Sequence, residues 1–391
     1  MKIQDRGTLK LVVVFPPSVN ADVGDSMNFV RLCEPLSQEM YVLVSGEGFP
    51  QVNEHVHLLL TRGYGEKEPL VIKMFKFVFE QLSASCNLIR ISRNIDVVIF
   101  YLGNGAYLLP LLCAKLLGKK TVFMATGLYS QISRVEYRRL LFGLGGFIFS
   151  AIYKVLEKIT FALVDRITVE SPAIIESMDL SKYERKIAIL GALYIDLSQF
   201  EVTKTVGERE ALFGYIGRLL SLKGIRELVG AMPLILDERG DTGALIIGGG
   251  PLFEEIKTGL AEHGLSRRVN LLDQVPRDEI PHYLNKLKLF ILPSCTEGLP
   301  GIVQEAMACG TPVLATAVGG IPDLIKDGET GFIMEDNSPQ CIAMSVIRAL
   351  NHPGLEEIAR NARRLIGEEY SYQAMVGKCQ HALDEMIKAK E

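Results

Sequence analysis

The chain is 391 residues long, 48% hydrophobic and 23% charged, which suits a globular protein of roughly two to three domains with a large core. A formal net charge of −4 argues against nucleic acid as a main partner, because a phosphate backbone demands clustered Lys and Arg. Seven cysteines without a C-x-x-C pair read as reduced core residues of a reducing compartment rather than as a disulfide framework or metal site.

Lys2, Arg6 and Lys10 precede the apolar run Leu11-Val12-Val13-Val14-Phe15, which stops at Pro16-Pro17. The run is too short for a secretory signal and fits a buried strand. No uninterrupted apolar stretch reaches the length of a membrane-spanning helix, so a cytoplasmic location is expected. Apolar runs predict strands over 9–15, 40–45, 52–60, 96–101, 120–124, 166–170 and 186–190. Helical spacing falls between them, over 26–36, 69–92, 106–117, 134–161 and 171–178. A polar, aperiodic segment over 196–209 then marks a boundary, giving domains 1–203 and 204–370.

The second half repeats the alternation, with strands over 213–216, 244–247, 269–272 and 287–292 and helices over 223–232, 251–263 and 278–284. The tail over 371–391 carries apolar positions Met375, Leu383 and Met386 at helical spacing. Alternating strands and helices predict an α/β protein with parallel sheets covered on both faces. Two such domains in series place a ligand cleft between them, beyond the carboxyl ends of the strands.

Three constellations follow strands of the second half. In the first, Gly214-Tyr-Ile-Gly217-Arg218 leads to Lys223-Gly224, where glycines permit close backbone approach and Arg218 and Lys223 suit one diphosphate. In the second, Gly248-Gly249-Gly250-Pro251 joins a strand to a helix. It does not match G-x-G-x-x-G, and the chain has no G-x-x-x-x-G-K-[ST], which argues against a dinucleotide enzyme and a phosphate-loop NTPase. In the third, Glu297-Gly298-Leu299-Pro300-Gly301 opens a short helix carrying Glu305, and Gly310-Thr-Pro stops it. Amides over 298–302 can turn towards an anion, and two carboxylates can accept hydrogen bonds from sugar hydroxyls. Either Glu alone reads better as a solvated helix acid; the whole string favours function.

The spacing Glu297-x7-Glu305, followed by Val318-Gly319-Gly320-Ile321-Pro322-Asp323 and Asp327-Gly328-x-x-Gly331, resembles the retaining glycosyltransferases of the family-4 type. The likeness is specific over 213–334 and weaker before it, in Asp165–Ser171 and Asp196–Phe200. The resemblance implies the GT-B fold: two Rossmann-like, doubly wound parallel-sheet domains facing across a cleft. The first would bind the acceptor, with the helix at 371–391 packed back on it, and the second the nucleotide-sugar donor. It implies that Arg218 and Lys223 hold the donor diphosphate beside Gly217 and Gly249. Glu297 would bond sugar hydroxyls, with Gly298, Leu299 and Pro300 beside the sugar and phosphates. Glu305 would take the ribose hydroxyls, and Gln274 and Val275 would lie near the base. No cofactor and no metal are expected, and the chain has no Asp-x-Asp. The acceptor would be a glycan or a lipid-linked sugar.

Two positions depart from that family's pattern. The usual His after the strand over 120–124 is replaced by Thr126, and no His occurs between His57 and His263. Thr126 or Asn104 is a neutral hydrogen-bonding substitute. Asp273 stands where Gly is common. The loop over 18–26 lacks a double glycine and leaves Gly24 as its acceptor-side candidate. Two rival readings remain: a nucleotide-sugar-binding protein that no longer catalyses, and a sugar-nucleotide epimerase or phosphorylase on the same fold. Finally, stretches 134–158 and 71–79 mix Arg and Lys with bulky apolar residues, the composition of a helix lying on an anionic membrane. A buried helix with a basic edge gives the same pattern.

Overall fold

The computed structural model describes residues 9–15, 23–45, 53–61, 70–101, 107–125, 144–190, 194–210 and 212–388. The chain divides into two compact units, Met1–Leu193 with Met375–Glu391, and Tyr194–Ala374.

The first unit is built on β1 (Lys10–Val14), β2 (Glu39–Ser45), β3 (Val56–Thr61), β4 (Val97–Phe100), β5 (Lys120–Ala125), β6 (Arg166–Val169) and β7 (Ile187–Ile189). They form one parallel sheet in the order β3-β2-β1-β4-β5-β6-β7. Its helices are α1 (Val23–Cys33), α2 (Leu70–Ile91), α3 (Leu108–Leu116), α4 (Leu144–Leu163) and α5 (Pro172–Ser177). Successive strand residues face opposite sides, so a strand buried on both reads as an unbroken apolar run. Val12, Val14, Val98 and Phe100 pack on one face with Leu88 of α2, Leu111 of α3 and Phe161 of α4. Ile99, Val122 and Met124 turn to the other face, where Phe29 and Cys33 of α1 meet Cys379 and Leu383 of the C-terminal helix.

Asp165 ties α3 to the sheet. Its carboxylate accepts from Lys115 Nζ, Thr121 N and Thr121 Oγ1, each at 2.8 Å. Burial pushes this carboxyl up, but the hydrogen bonds from Lys115 and Thr121 outweigh it and hold the group below its ordinary range.

The second unit holds β8 (Leu212–Ile216), β9 (Gly243–Ile247), β10 (Val269–Leu272), β11 (Leu289–Leu292), β12 (Val313–Thr316) and β13 (Phe332–Met334). The parallel order β10-β9-β8-β11-β12-β13 puts the first and fourth strands side by side. The loops leaving β8 and β11 therefore part at a topological switch point, where open α/β sheets bind ligands. The helices are α6 (Ile225–Glu238), α7 (Phe253–Glu262), α8 (Ile280–Leu284), α9 (Gly301–Ala308), α10 (Ile321–Leu324), α11 (Pro339–Leu350) and α12 (Leu355–Glu369); α13 (Tyr372–Lys388) follows and from Met375 on belongs to the first unit.

One helix differs from its sequence expectation. The pattern stops at Met232 because Pro233 lacks an N–H and normally ends a helix. α6 instead runs through Pro233 to Glu238. Ile235 and Leu236 are fully buried beyond the proline, and their burial, at about 2 kcal/mol each, offsets the lost hydrogen bond.

The segment before β8 is integrated into this unit. Ile195 N–H donates to Tyr370 O at 2.8 Å, and Asn285 Oδ1 accepts from Thr203 N–H at 2.9 Å. Arg209 is buried and donates to Leu287 O at 3.0 Å, Thr311 Oγ1 at 2.7 Å and Cys309 O at 2.7 Å.

Candidate active site

Glycine builds the site's backbone. Gly217 N–H donates to Ile247 O at 2.9 Å, and Leu219 N–H to Gly249 O at 2.9 Å. This joins the loops after β8 and β9. At Gly248, with φ of +153°, a Cβ would lie 1.9 Å from Gly217 O, so no larger residue fits. Lys223 closes a single 3-10 turn that Gly224 ends in the left-handed region at φ +67°. A Cβ on Gly224 would stand 1.9 Å from Pro293 O. The chain carrying Lys223 is thereby pressed against the end of β11, and Cys295 N–H donates to Leu222 O at 2.9 Å.

That contact sets the central pair. Lys223 Nζ donates to both oxygens of Glu297, at 2.7 and 2.8 Å. Ser294 Oγ donates to Glu297 Oε1 at 2.6 Å, and Thr316 Oγ1 in turn donates to Ser294 O at 2.5 Å. The Glu297 side chain is 7% exposed and that of Lys223 25%. A carboxylate this shielded depends on its cation, since an unpaired buried charge is costly. The Glu297 loop is braced from the β12 side: Gly320 N–H donates to Gly298 O at 2.7 Å, and a Cβ on Gly319 (φ +56°) would lie 2.0 Å from Glu297 O.

Gly298, Leu299 and Pro300 lead into α9, whose N-cap is Pro300 and has no side-chain acceptor. Glu305 lies on that helix, buried, with Arg277 Nη2 at 3.4 Å from Oε1. Arg277 opens the turn after β10, just beyond Gln274 and Val275. Gln274 is exposed and Val275 packs on the core. A Cβ on Gly249 would lie 2.9 Å from Asp273 Oδ1 and 3.1 Å from Gln274 Cγ, so these three residues are neighbours. The Asp273 carboxylate turns back on its own loop, accepting from Gln274 N–H at 2.7 Å.

The sequence candidates thus fall into two groups. Lys223 and Glu297 are in direct contact, with Gly217, Gly249, Gln274 and Gly298 on the adjoining loops. Glu305 is linked through Arg277 to the loop of Gln274 and Val275. Arg218 is exposed, and its side chain joins no ion pair among the described residues. Its carbonyl accepts from Tyr215 Oη at 2.8 Å. Burial first, and then the negative charge of Glu297, pushes the Tyr215 hydroxyl well above its ordinary range, so the phenol stays a proton donor. Gly24 sits in the first turn of α1 rather than in a loop, because the helix begins at Val23. Thr126 and Asn104 lie outside the described residues.

Three residues of the site escape sequence reading: Tyr215, Arg277 and Ser294. Tyr215 and Ser294 read as ordinary strand and turn residues. Arg277 had one signal, its place three residues after Gln274 on a loop that must face the switch point. Chemically, the arrangement offers a fixed carboxylate for hydroxyl groups, a cation shared with it, and bare glycine backbone that an anion can approach.

Residues 199–366 match the family model for glycosyl transferases group 1. The uncharacterized glycosyltransferase MJ1607 of Methanocaldococcus jannaschii is 33% identical over 168 residues, 43% of this chain and 43% of that protein. The 2-deoxystreptamine glucosyltransferase of Streptomyces kanamyceticus is 32% identical over 168 residues, 42% of this chain and 43% of the relative. The chain therefore spans less than half the length of the curated relatives it matches. Among solved structures, sucrose-phosphate synthase of Thermosynechococcus elongatus superposes with a TM-score of 0.74 at 17% identity, covering 97% of this chain and 100% of that one. Anabaena Alr3699/HepE, solved with UDP and glucose, gives a TM-score of 0.71 at 15% identity over 96% of this chain and 100% of that one. At these identities the likeness is one of fold. The chain has two Rossmann-like parallel-sheet domains, the GT-B class of its structural neighbours, and the second carries the glycosyl transferases group 1 match.

Proposed function

We propose that this chain is a glycosyltransferase that moves a sugar from a nucleotide diphosphate donor to an acceptor hydroxyl, with retained anomeric configuration and without a metal ion. The observation that carries the reading is the Lys223–Glu297 pair at the switch point of the second sheet, inside the group 1 match. Lys223 and Arg218 take the diphosphate, and the amino end of α9 adds its dipole to the leaving charge. Glu297 accepts hydrogen bonds from the sugar hydroxyls. Glu305, steadied by Arg277, accepts from the ribose, and Gln274 and Val275 border the base. The acceptor oxygen attacks the anomeric carbon on the face the phosphate leaves. The carbon–oxygen bond to the phosphate breaks, and the acceptor proton passes to the departing phosphate. The acceptor is a glycan or a lipid-linked sugar, met by a chain that touches the cytoplasmic membrane face through 71–79 and 134–158, of which 134–143 lie outside the described residues.

A thermal-shift screen against UDP-, GDP- and ADP-sugars tests the reading. A donor at a hundredfold its Kd adds about 2.7 kcal/mol of stability. One nucleotide series is expected to raise the melting temperature, and Lys223→Ala to abolish the rise. Transfer that survives EDTA unchanged tests metal independence. A flat screen, with the Ala variant turning over like the parent chain, sinks the proposal.

A further inference from the structure

The helices that cover one face of the first sheet carry an unusual outer surface. On α2, Phe75, Phe79, Leu82 and Ile89 are all exposed, Phe75 by 74%. With the exposed Cys86 they recur at intervals of four, three, four and three, a single stripe along a helix roughly 33 Å long. α3 packs against both α2 and α4. It continues the stripe through Leu112 and Leu116, the latter 89% exposed, and α4 adds Val155. Contiguous apolar surface of this kind on a folded domain marks an interaction site.

Charge decides what meets it. The three helices hold two acids, Glu80 and Glu157, and both are only 4% exposed. Lys154 and Lys158 of α4 and Arg90 of α2 are exposed and stand at the edges of the apolar stripes. The face is therefore apolar at its centre and cationic at its border, on a chain whose net charge is −4. No described helix is long and apolar enough to cross a membrane. A second copy of the chain paired through this face would set like charges against each other.

We propose that the α2–α3–α4 face is a bilayer-docking surface, lying flat on anionic lipid with its apolar side chains in the acyl boundary and its cations among the headgroups. It deepens the peripheral contact proposed above and rests on that part of the reading alone, not on sugar transfer. α3, which the composition of the chain did not single out, belongs to the surface because the fold sets it between the other two helices.

The test is flotation of the full chain with vesicles of phosphatidylglycerol and phosphatidylcholine, against phosphatidylcholine alone. The chain is expected to float with the anionic vesicles and to be released at about 0.5 M salt, where charges are screened beyond roughly 4 Å. Phe75→Ser with Phe79→Ser is expected to lower binding on the order of a hundredfold or more, since both exposed phenyl rings leave the acyl boundary. Lys154→Glu with Lys158→Glu is expected to lower it at least about thirtyfold, because two cations that favour the anionic surface are lost and two acids replace them. All four sites are exposed, and an unchanged melting temperature with an unchanged donor-induced shift shows that fold and donor site survive. Flotation indifferent to lipid charge and to both variants overturns the proposal. So does a lipid-free dimer that the Phe75→Ser, Phe79→Ser variant converts to monomer, which would assign the face to a second copy. A flat donor screen beside intact flotation would remove the transferase and leave the docking surface standing.

Discussion

The two units share a strand order over their first six strands, yet they dispose of charge in opposite ways. The second unit draws charge inward: Lys223 on Glu297 and Arg277 on Glu305 beyond the carboxyl ends of its strands, and Arg209 on a set of carbonyls at their amino ends. Its outer helix α12 buries Ile358, Ala362 and Ile366 and turns Glu and Arg to water. In the first unit, α2 and α4 bury their two acids, Glu80 and Glu157, and with α3 turn phenylalanine and leucine outward. One sheet plan thus supports two kinds of surface. The inner positions are fixed by packing, whereas loops and outer faces are free to carry function.

The sharpest way to break this contrast is to remove the inward charge. Glu297→Gln keeps the shape and the Ser294 contact but loses the charge facing Lys223. Turnover is expected to fall about a hundredfold or more with the fold intact, as for other pre-set polar groups at a reaction centre. Steady-state kinetics beside circular dichroism checks it. Turnover within a few-fold of the parent would mean that the pair is structural and that the second unit's inward charge has no chemical purpose.

A backbone change probes the same region without touching charge. Gly319→Ala forces a Cβ into the left-handed region and to 2.0 Å from Glu297 O. It is expected to cost about 2–4 kcal/mol and to displace Glu297. Chemical denaturation followed separately in each unit should show the loss in the second unit only. Equal loss in both would show that the units do not melt independently.

Arg277→Ala tests the looser of the two acid pairs. At 3.4 Å, with Arg277 half-exposed, this pair is weaker than that of Glu297. A rise in donor KM of about fivefold with little change in kcat is expected, because the residue acts on ground-state binding. An unchanged KM would remove Arg277 from the site.

The smallest effect lies in the first unit. Asp165 has a carboxyl held below its ordinary range in the folded chain. A depressed folded pKa means that the unfolded chain takes up the proton first. The stabilisation is therefore whole above the unfolded value near 4 and is lost as pH falls through the folded value. Asp165→Asn should cost about 1 kcal/mol at pH 7 and flatten the loss of stability as pH falls below about 4. Urea melts at neutral pH and on the acid side measure it.

Much of this was legible in residue order. Unbroken apolar runs such as Leu11–Phe15 and Leu289–Leu292 are what a strand buried on both faces must be, and the glycines at 217, 248 and 224 mark turns where backbone meets backbone. Where reading failed, a distant contact overrode a local rule. Pro233 ends a helix by propensity, but the buried Ile235 and Leu236 carry α6 past it. Ser294 looks like any turn serine until Thr316 fixes its carbonyl and its hydroxyl meets Glu297.

The sequence by itself determined the alternation of strand and helix, the positions where only glycine fits, and the spacing of Glu297 and Glu305 on one loop and helix. These follow from local sterics and from periods of two and 3.6 residues, which a linear string displays. Only the tertiary structure decided that Lys223 would grip a carboxylate 74 residues away, and that α3 would join the apolar stripes of α2 and α4 into one face. Both depend on which elements become neighbours in the sheet, and that order is set by the packing of the whole core, not by any stretch of chain.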